Sequence, residues 1–123
     1  MSEEPLMDEV ARRTKRLPPP PHVVFESLSQ PRRSAVRPWL DLRDGEVEPR
    51  VLVAEAPGRV VWSTLWADRA GDEIHLELAA HESETALTVV LRSPQAASEE
   101  TTKALRHRLS QLFFGELRES YGA

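Results

Sequence analysis

Apolar and polar residues alternate along two neighbouring stretches in the second half of the chain. Glu73–Leu78 alternates strictly, and apolar residues occupy every second position from Leu87 to Leu91. Because successive side chains of a strand point to opposite faces of a sheet, each stretch predicts a strand with one buried face. Glu82–Glu84 separates the two stretches as a turn, so the pair is expected to form an antiparallel hairpin.

Three more strands are predicted upstream of this hairpin. Branched and aromatic residues make Val60–Trp66 a strand, and a further strand is expected at Arg50–Glu55. Trp39–Leu42 is predicted as a short strand before them. The turn dipeptides Asp44-Gly45 and Pro57-Gly58 separate the three segments.

The first forty residues contain a proline cluster between two predicted elements. Glu9–Leu17 is charged at most positions, but Pro18–Pro21 must end any strand that precedes it. The last of these prolines suits the first turn of a helix, and apolar residues at helical spacing predict a helix over His22–Ser29. Gln30-Pro31 ends that helix, and a second short helix is expected at Arg32–Val36.

A long amphipathic helix is predicted at the end of the chain, over Ser98–Tyr121. Ser98 is a suitable N-cap residue, and Thr101 stands at the position of a capping-box acid. One apolar stripe follows the helix. Its members are Leu105, Leu109, Leu112, Phe113 and Leu117, extended by Tyr121.

These elements predict an α+β fold in which a curved antiparallel sheet of about six strands wraps around the C-terminal helix, with two short helices after the first strand. Residues 1–8 are expected to be a flexible leader, and residues 9–121 a single domain. A chain of 123 residues can bury roughly two thirds of its unfolded surface, so it can support a core.

Composition excludes several classes of function. The net charge is −4 with acids and bases interleaved, which lacks the basic footprint of a nucleic-acid-binding protein. The absence of cysteine excludes disulfides and thiolate chemistry. No window approaches the roughly 20 apolar residues of a membrane span, and the acidic N-terminus is unlike a secretory signal. A cytoplasmic location is therefore expected.

The junction Leu17–Pro21 and the helix after it resemble a known family. The junction is similar to the Ile-Pro-Ala-Pro type that commonly closes the first strand of START-like (SRPBCC, helix-grip) proteins, and Val24-Phe25 matches the Val-Phe pair of their first helix. Ser29-Gln30-Pro31 fits the polar turn that follows. The resemblance covers nearly the whole chain and is nearest to the polyketide cyclase/dehydrase-like and Hsp-ninety-ATPase-activator-like branches. It implies the helix-grip fold and a cavity for an apolar ligand.

A ligand cavity between the sheet and the terminal helix would be lined by inward-facing side chains, mostly apolar with a few hydroxyls. Ten residues are predicted to line or border it: Trp62, Thr64, Trp66, Leu76, Leu78, Val89, Leu105, Leu109, Phe113 and Arg13. Arg13 would hold a carboxylate or phosphate of the ligand. Two alternatives stay open: the apolar side chains fill the core, and the charges of the first strand protect a sheet edge.

Candidate catalytic and metal-binding residues are few. His75 and Glu77 lie on the wet face of their strand, and zinc needs three or four convergent ligands, so neither a metal nor another cofactor is expected. The chain has no glycine-rich phosphate loop, nucleophile elbow or metalloprotease motif. The sequence therefore favours a binding protein over an enzyme.

Three hypotheses of function follow. The first is a protein that binds a small hydrophobic molecule, with or without an anionic group, in the cavity. The second is a module with a filled core that contacts a protein partner through Val23–Leu28 and Pro38-Trp39-Leu40. The third, a polyketide cyclase or dehydrase, requires a titratable side chain inside the cavity. A void of roughly 300 Å³ or more would favour the first hypothesis over the second.

Overall fold

The computed structural model describes residues 7–33 and 38–122 and has one sheet packed against helices. Its strands are β1 (Asp8–Leu17), β2 (Val51–Glu55), β3 (Arg59–Ser63), β4 (Glu73–His81) and β5 (Glu84–Ser93). Helix α1 spans Pro21–Ser29. The terminal helix consists of α2 (Glu99–Gln111), a π-helical segment (Leu112–Glu116) and α3 (Leu117–Ser120).

All strand pairs are antiparallel, and the order across the sheet is β1-β5-β4-β3-β2. The register aligns Ala11, Leu91, Ile74 and Trp62 in one row across four strands. All four are buried, so this row belongs to the face that meets the helices. The α+β class, the β4–β5 hairpin and the long C-terminal helix are as predicted, with five strands instead of about six.

The predicted strand at Trp39–Leu42 is wrong, because this segment is an extended loop. Two of its carbonyl groups accept hydrogen bonds from arginine side chains and not from a neighbouring strand. Arg32 Nη1 donates to the Leu40 carbonyl at 2.8 Å, and Arg108 Nη2 donates to the Asp41 carbonyl at 2.7 Å. Guanidinium groups thus satisfy backbone groups that a sheet would otherwise satisfy.

Two predictions fall partly outside the described residues. Only the first two positions of the expected helix at Arg32–Val36 are described, and residues 31 and 32 form a turn. Residues 1–6 of the predicted leader are likewise outside the described ranges, and β1 begins at Asp8, inside the span assigned to the leader.

The strand predicted over Val60–Trp66 ends early, at Ser63. The Thr64 hydroxyl donates to the Trp66 carbonyl and accepts from the Trp66 N–H, both at 3.1 Å, which turns the chain away from the sheet. The alternation of inward-facing and outward-facing side chains therefore stops at this turn. Thr64 and Trp66 were predicted to face inward, but Leu65 between them is the fully buried residue.

The terminal helix covers the inner face of the sheet. The predicted cap is confirmed, because Ser98 Oγ accepts from the Thr101 N–H at 3.1 Å. In the π-helical segment the Leu117 N–H reaches the Leu112 carbonyl, five residues back. This wider turn leaves Leu112, Phe113 and Leu117 fully buried.

Helix α1 closes one end of the core. The Trp62 indole N–H donates to the Leu28 carbonyl at 2.8 Å, near the end of α1, so a buried ring satisfies a helix terminus. Tyr121 Oη donates to Ser27 Oγ at 2.8 Å, which ties the end of the terminal helix to α1. Within residues 7–33 and 38–122, no helix has the length and apolar character to cross a bilayer.

Candidate functional site

Most of the predicted lining residues come together in one hydrophobic core. Seven of them are at most 8% exposed: Trp62, Leu76, Leu78, Val89, Leu105, Leu109 and Phe113. Trp66 packs at the margin of this core, half-buried, and Thr64 is half-buried in the turn that ends β3.

Aromatic rings occupy the space between the sheet and the terminal helix. The Trp62 ring centroid lies 5.2 Å from that of Phe113 and 5.8 Å from that of Trp39. The Trp39 and Phe113 centroids are 6.0 Å apart. These are contact distances for aromatic pairs, so the three rings pack directly against one another. Trp39 therefore packs against both β3 and the terminal helix.

Arg13 is set apart from this core. Its register partner is the buried Val89, so Arg13 is on the same face of the sheet as the core, but β1 is an edge strand and the side chain is exposed. It borders an open cleft of about 270 Å³ between β1 and α2. We call this the basic cleft; its lining residues are Arg13, Lys103, Arg106, His107 and Ser110.

A further cation of β1 lies beside the terminal helix. Lys15 shares the face of β1 that carries Arg13, and its Nζ lies 6.0 Å from the Phe114 ring centroid, near the limit of a cation–π contact. Four cations lie in this region: Arg13, Lys15, Lys103 and Arg106. Among the described residues, the one ion pair that any of them forms joins Lys103 to Glu99 at 4.0 Å, at the helix surface.

The arginines on the opposite face of β1 have carboxylate partners. Arg12 pairs with Glu9 at 2.9 Å, and Arg16 approaches Glu84 at 3.9 Å. The Arg12 hydrogen bond holds the pKa of the Glu9 carboxyl below its usual value. Charges on the outer face are therefore neutralised locally, in contrast to those at the basic cleft.

A buried ionic network joins the terminal helix to the loop before β2. Arg108 donates to both carboxylate oxygens of Glu46, at 2.7 and 2.9 Å, and their side chains are 10% and 5% exposed. Burial acts to raise the pKa of Glu46, but hydrogen bonds from Arg108 and from the Arg43 N–H outweigh it and hold that pKa low. Glu116 extends the network, since its Oε1 lies 2.5 Å from Arg43 Nη2 and 3.5 Å from Arg108 Nη1.

Sequence reasoning missed this network, although a signal was present. Two charged residues fall on the apolar stripe of the terminal helix. Arg108 lies one residue before Leu109 and four before Leu112. Glu116 lies four residues after Leu112 and three after Phe113. Charged residues at helical spacing within an apolar stripe indicate buried charges that need partners.

A second buried network fixes the loop between β3 and β4. Arg69 Nε donates to Asp72 at 2.7 Å, and Arg69 Nη2 donates to Ser93 Oγ at 3.0 Å and to the Gln95 carbonyl at 2.8 Å. Ser93 Oγ also donates to Asp72. The exposed fractions of these residues are 5%, 2% and 1% for Arg69, Asp72 and Ser93, so the group is structural.

His75 lies on the outer face of β4, as predicted, with Nε2 3.0 Å from Glu73 Oε1. In the described ranges no three histidine, aspartate or glutamate side chains are arranged to hold a metal ion.

The surface predicted for a protein partner is largely buried. Val24, Leu28, Trp39 and Leu40 are at most 4% exposed and belong to the core. In the described part of the chain, the exposed large apolar side chains lie instead along and before the edge strand β2: Val47, Val51 and Leu52.

Comparison with known proteins identifies the fold. No protein-family model matches the chain, and no curated protein matches it at a significant level. CalU16 from Micromonospora echinospora superposes with a TM-score of 0.63 and 19% identity, over 85% of this chain and 71% of that one. DynU16, from the dynemicin biosynthetic locus, has a TM-score of 0.67 and 22% identity, over 91% of this chain and 46% of its own.

An AHSA1-like protein from Rhizobium etli is also similar, with a TM-score of 0.61 and 13% identity over 97% of this chain and 85% of that one. At such identities the likeness is one of fold. The chain therefore shares the fold of these proteins, a helix-grip fold, and the fold expected from the sequence is confirmed.

Proposed function

We propose that the protein binds a small amphipathic molecule whose carboxylate or phosphate is held at the basic cleft. The observation that carries this proposal is the meeting of cations from two elements, Arg13 on β1 with Lys103 and Arg106 on α2. Like charges gathered on one surface repel, and an anion bound between them relieves that repulsion. A guanidinium also presents paired donors that match a carboxylate or phosphate.

The apolar part of the ligand is proposed to contact the margin of the core beside the cleft. Leu78 and Leu105 retain 8% and 7% exposure, while Trp62, Leu76 and Phe113 are fully buried. Leu105 lies between Lys103 and Arg106 in the chain, which favours it as the first apolar contact. Leu109 and Val89, at 3% and 1% exposure, come next.

The deeper residues of the predicted lining would contact a ligand only after a change in conformation. Trp62, Leu76 and Phe113 would reach a ligand only if the terminal helix moved away from the sheet, since their rings and side chains now contact one another. Thr64 and Trp66 follow β3, which is three places from β1 in the sheet, and they lie outside the proposed site.

A titration of ¹⁵N-labelled protein tests the proposal with three matched probes: decanoate below its micellar range, decanol and acetate. Decanoate is expected to give saturable amide shifts at Arg13 and across residues 103–110. Decanol lacks the charge and acetate lacks the chain, so each should bind at least tenfold more weakly.

Variants separate the anion contacts from the fold. Arg13→Gln and Arg106→Gln should each weaken decanoate binding about three- to fivefold, the loss expected for one exposed charge pair. Arg118→Gln, an exposed arginine elsewhere on the terminal helix, is the control and should leave the affinity unchanged. Equal affinity for decanoate and decanol, or wild-type affinity in both variants, would refute the anion site.

A second candidate function is supported by the packing of Trp39, Trp62 and Phe113. A core filled by aromatic rings is what the protein-interaction hypothesis requires, and the exposed Val51 and Leu52 on the edge strand β2 would then form its contact surface. The same titration decides between the candidates. Complete absence of shifts with all three probes would reject ligand binding at the cleft and favour this alternative.

A further inference from the structure

The two edges of the sheet carry different side chains. The edge strand β1 holds four cations: Arg12, Arg13, Lys15 and Arg16. The opposite edge strand, β2, reads Val-Leu-Val-Ala-Glu and so carries one charge. Charged side chains keep a sheet edge from pairing with another chain, whereas an exposed apolar edge favours such pairing. Within residues 7–33 and 38–122, β2 is therefore the edge that is suited to a further strand.

The apolar side chains of β2 are poorly covered by the rest of the protein. Val51 and Leu52 are 36% and 44% exposed, and Val47, before the strand, is 38% exposed. Ala54 is exposed and Val53 is half-buried. These residues adjoin one another along one edge, and a contiguous apolar patch on a protein surface marks an interaction site.

The backbone groups at this edge are oriented for pairing. The Arg50 carbonyl accepts from the Ser63 N–H at 2.8 Å, and the Arg50 N–H donates to Ser63 Oγ at 2.7 Å, so Arg50 directs both groups to β3. The Glu55 carbonyl accepts a hydrogen bond at 3.0 Å within the turn that joins β2 to β3. Because the backbone groups of successive strand residues point to opposite sides, those of Val51 and Ala54 point away from β3.

A β-bulge places the charges at the two ends of β2 on the same face of the sheet. Residues five apart in a regular strand lie on opposite faces, but the register of β2 shifts by one residue within the strand. Arg50 lies beside Ser63, and Glu55 lies opposite Arg59. Ser63 and Arg59 both pair with glutamates on the outer face of β4. Arg50 and Glu55 therefore both belong to the outer face.

We infer that β2 pairs antiparallel with β2 of a second copy of this chain, about a two-fold axis perpendicular to the sheet. Such an axis keeps the outer faces on one side, so Arg50 of one copy meets Glu55 of the partner subunit, and the reverse. Val51 then meets Ala54 of the partner subunit, and their free backbone groups exchange two hydrogen bonds. The opposite charges at its two ends make β2 complementary to itself, which favours a second copy over a different protein.

The Glu55 carboxylate can accept this contact. Arg59 Nη1 lies 2.9 Å from its Oε1, and the Glu55 side chain is 64% exposed, so Oε2 stays accessible. The inferred pairing does not depend on the basic cleft, which lies beside β1 at the other edge of the sheet.

The interface is expected to be small. Pro49 and Pro57 flank the strand and lack the N–H that a ladder needs, which limits the pairing to about the length of β2. Interfaces below about 1,200 Å² are typical of weak, transient complexes. We therefore expect a reversible dimer with a Kd of about 0.1 mM.

Sedimentation equilibrium and NMR spectra over a range of concentrations test the inference. Between about 10 µM and 1 mM the average mass should rise from 13.9 kDa toward twice that value. Amide signals that move with concentration should cluster at residues 46–56, with the basic cleft unchanged. A chain that is monomeric at 1 mM, or shifts confined to other surfaces, would overturn the inference and leave this edge to a different partner.

A lysine at the centre of the strand tests the location of the interface. Leu52→Lys brings the ammonium groups of the two copies together and should raise the Kd at least about tenfold. Ala80→Lys adds the same charge at an exposed position of the central strand β4 and is the control. Both sites are exposed, so both variants are expected to fold. Wild-type dimerisation of Leu52→Lys, or an equal loss in Ala80→Lys, would contradict the pairing through β2.

A charge exchange tests the antiparallel geometry. Arg50→Glu and Glu55→Arg each place like charges opposite one another in both halves of the dimer, and each should raise the Kd about five- to tenfold. An equimolar mixture of the two variants restores both ion pairs, so it should dimerise more tightly than either variant alone. A mixture that associates no better than its components would refute the proposed arrangement.

Discussion

Arg13 on β1 and Arg108 on the terminal helix carry the same charge, yet they have opposite surroundings. Arg108 is 8% exposed and is held by a carboxylate and a backbone carbonyl. Arg13 is exposed and stands beside other cations. The comparison teaches that pairing, more than position, distinguishes a charge that holds the fold from one that is free for a ligand.

The paired region also connects distant parts of the chain. Arg108 reaches Glu46 and the Asp41 carbonyl, so one side chain fixes the loop that occupies the place of the predicted sixth strand. No comparable bond restrains Arg13 among the residues that the structure describes. We therefore expect substitutions in the two regions to affect different properties.

The largest effect is expected from Arg108→Ala. Removal of the guanidinium leaves the Glu46 carboxylate buried without its ion-pair partner, which should lower the free energy of unfolding by about 3–5 kcal/mol. Arg13→Ala should change it by less than about 0.5 kcal/mol. Urea denaturation of both variants measures the difference, and equal losses of stability would break the contrast between the two regions.

A smaller effect is expected from Glu46→Gln, with a dependence on pH. Because Arg108 and Arg43 hold the pKa of Glu46 below its ordinary 4.5, the carboxylate stabilises the fold fully above that pH and loses its contribution as the pH falls through the lowered pKa. The variant should be less stable by about 2 kcal/mol at pH 7.

The difference in stability between the two regions should depend on pH. Below pH 4.5 the gap between wild type and Glu46→Gln should narrow, whereas the gap between wild type and Arg13→Gln should stay constant. Urea denaturation at pH 7, 4 and 3 measures both gaps. A gap for Glu46→Gln that is constant with pH would argue against the Arg108–Glu46 pair as its source.

The smallest effect is expected from Arg106→Gln, and it should be stabilising. Lys103 and Arg106 lie three residues apart on α2, where like charges repel. The variant should melt about 1 °C higher at low ionic strength, and the difference should vanish in 1 M salt. Calorimetry at both salt concentrations measures the shift, and a variant that melts lower would show that Arg106 has a stabilising partner.

The sequence predicted most of the fold because its signals were local. Alternation identified the β4–β5 hairpin, the prolines marked the end of β1, and Ser98 marked the start of the terminal helix. The Trp39–Leu42 segment was predicted wrongly because β-propensity cannot reveal that arginines from distant positions bind its carbonyls. The end of β3 was missed because the Thr64 hydroxyl breaks the alternation.

The candidate sites were less predictable for the same physical reason. The apolar stripe correctly brought Leu105, Leu109 and Phe113 into the core, but periodicity carries no information on whether rings fill the space between them. The position of Glu116 depends on a π-helical turn and on an ion pair with Arg43, which is far away in sequence. Neither property has a local pattern.

The pairing of β1 has a consequence for the nascent chain. Within residues 7–33 and 38–122 its one neighbour in the sheet is β5. The register joins residues 8 and 93, so most of the domain must be translated before this strand finds a partner. An apolar strand that is exposed at the ribosome before its partner is made would associate with other chains. The arginines and lysine that make β1 look unlike a strand keep the emerging polypeptide hydrated until β5 arrives.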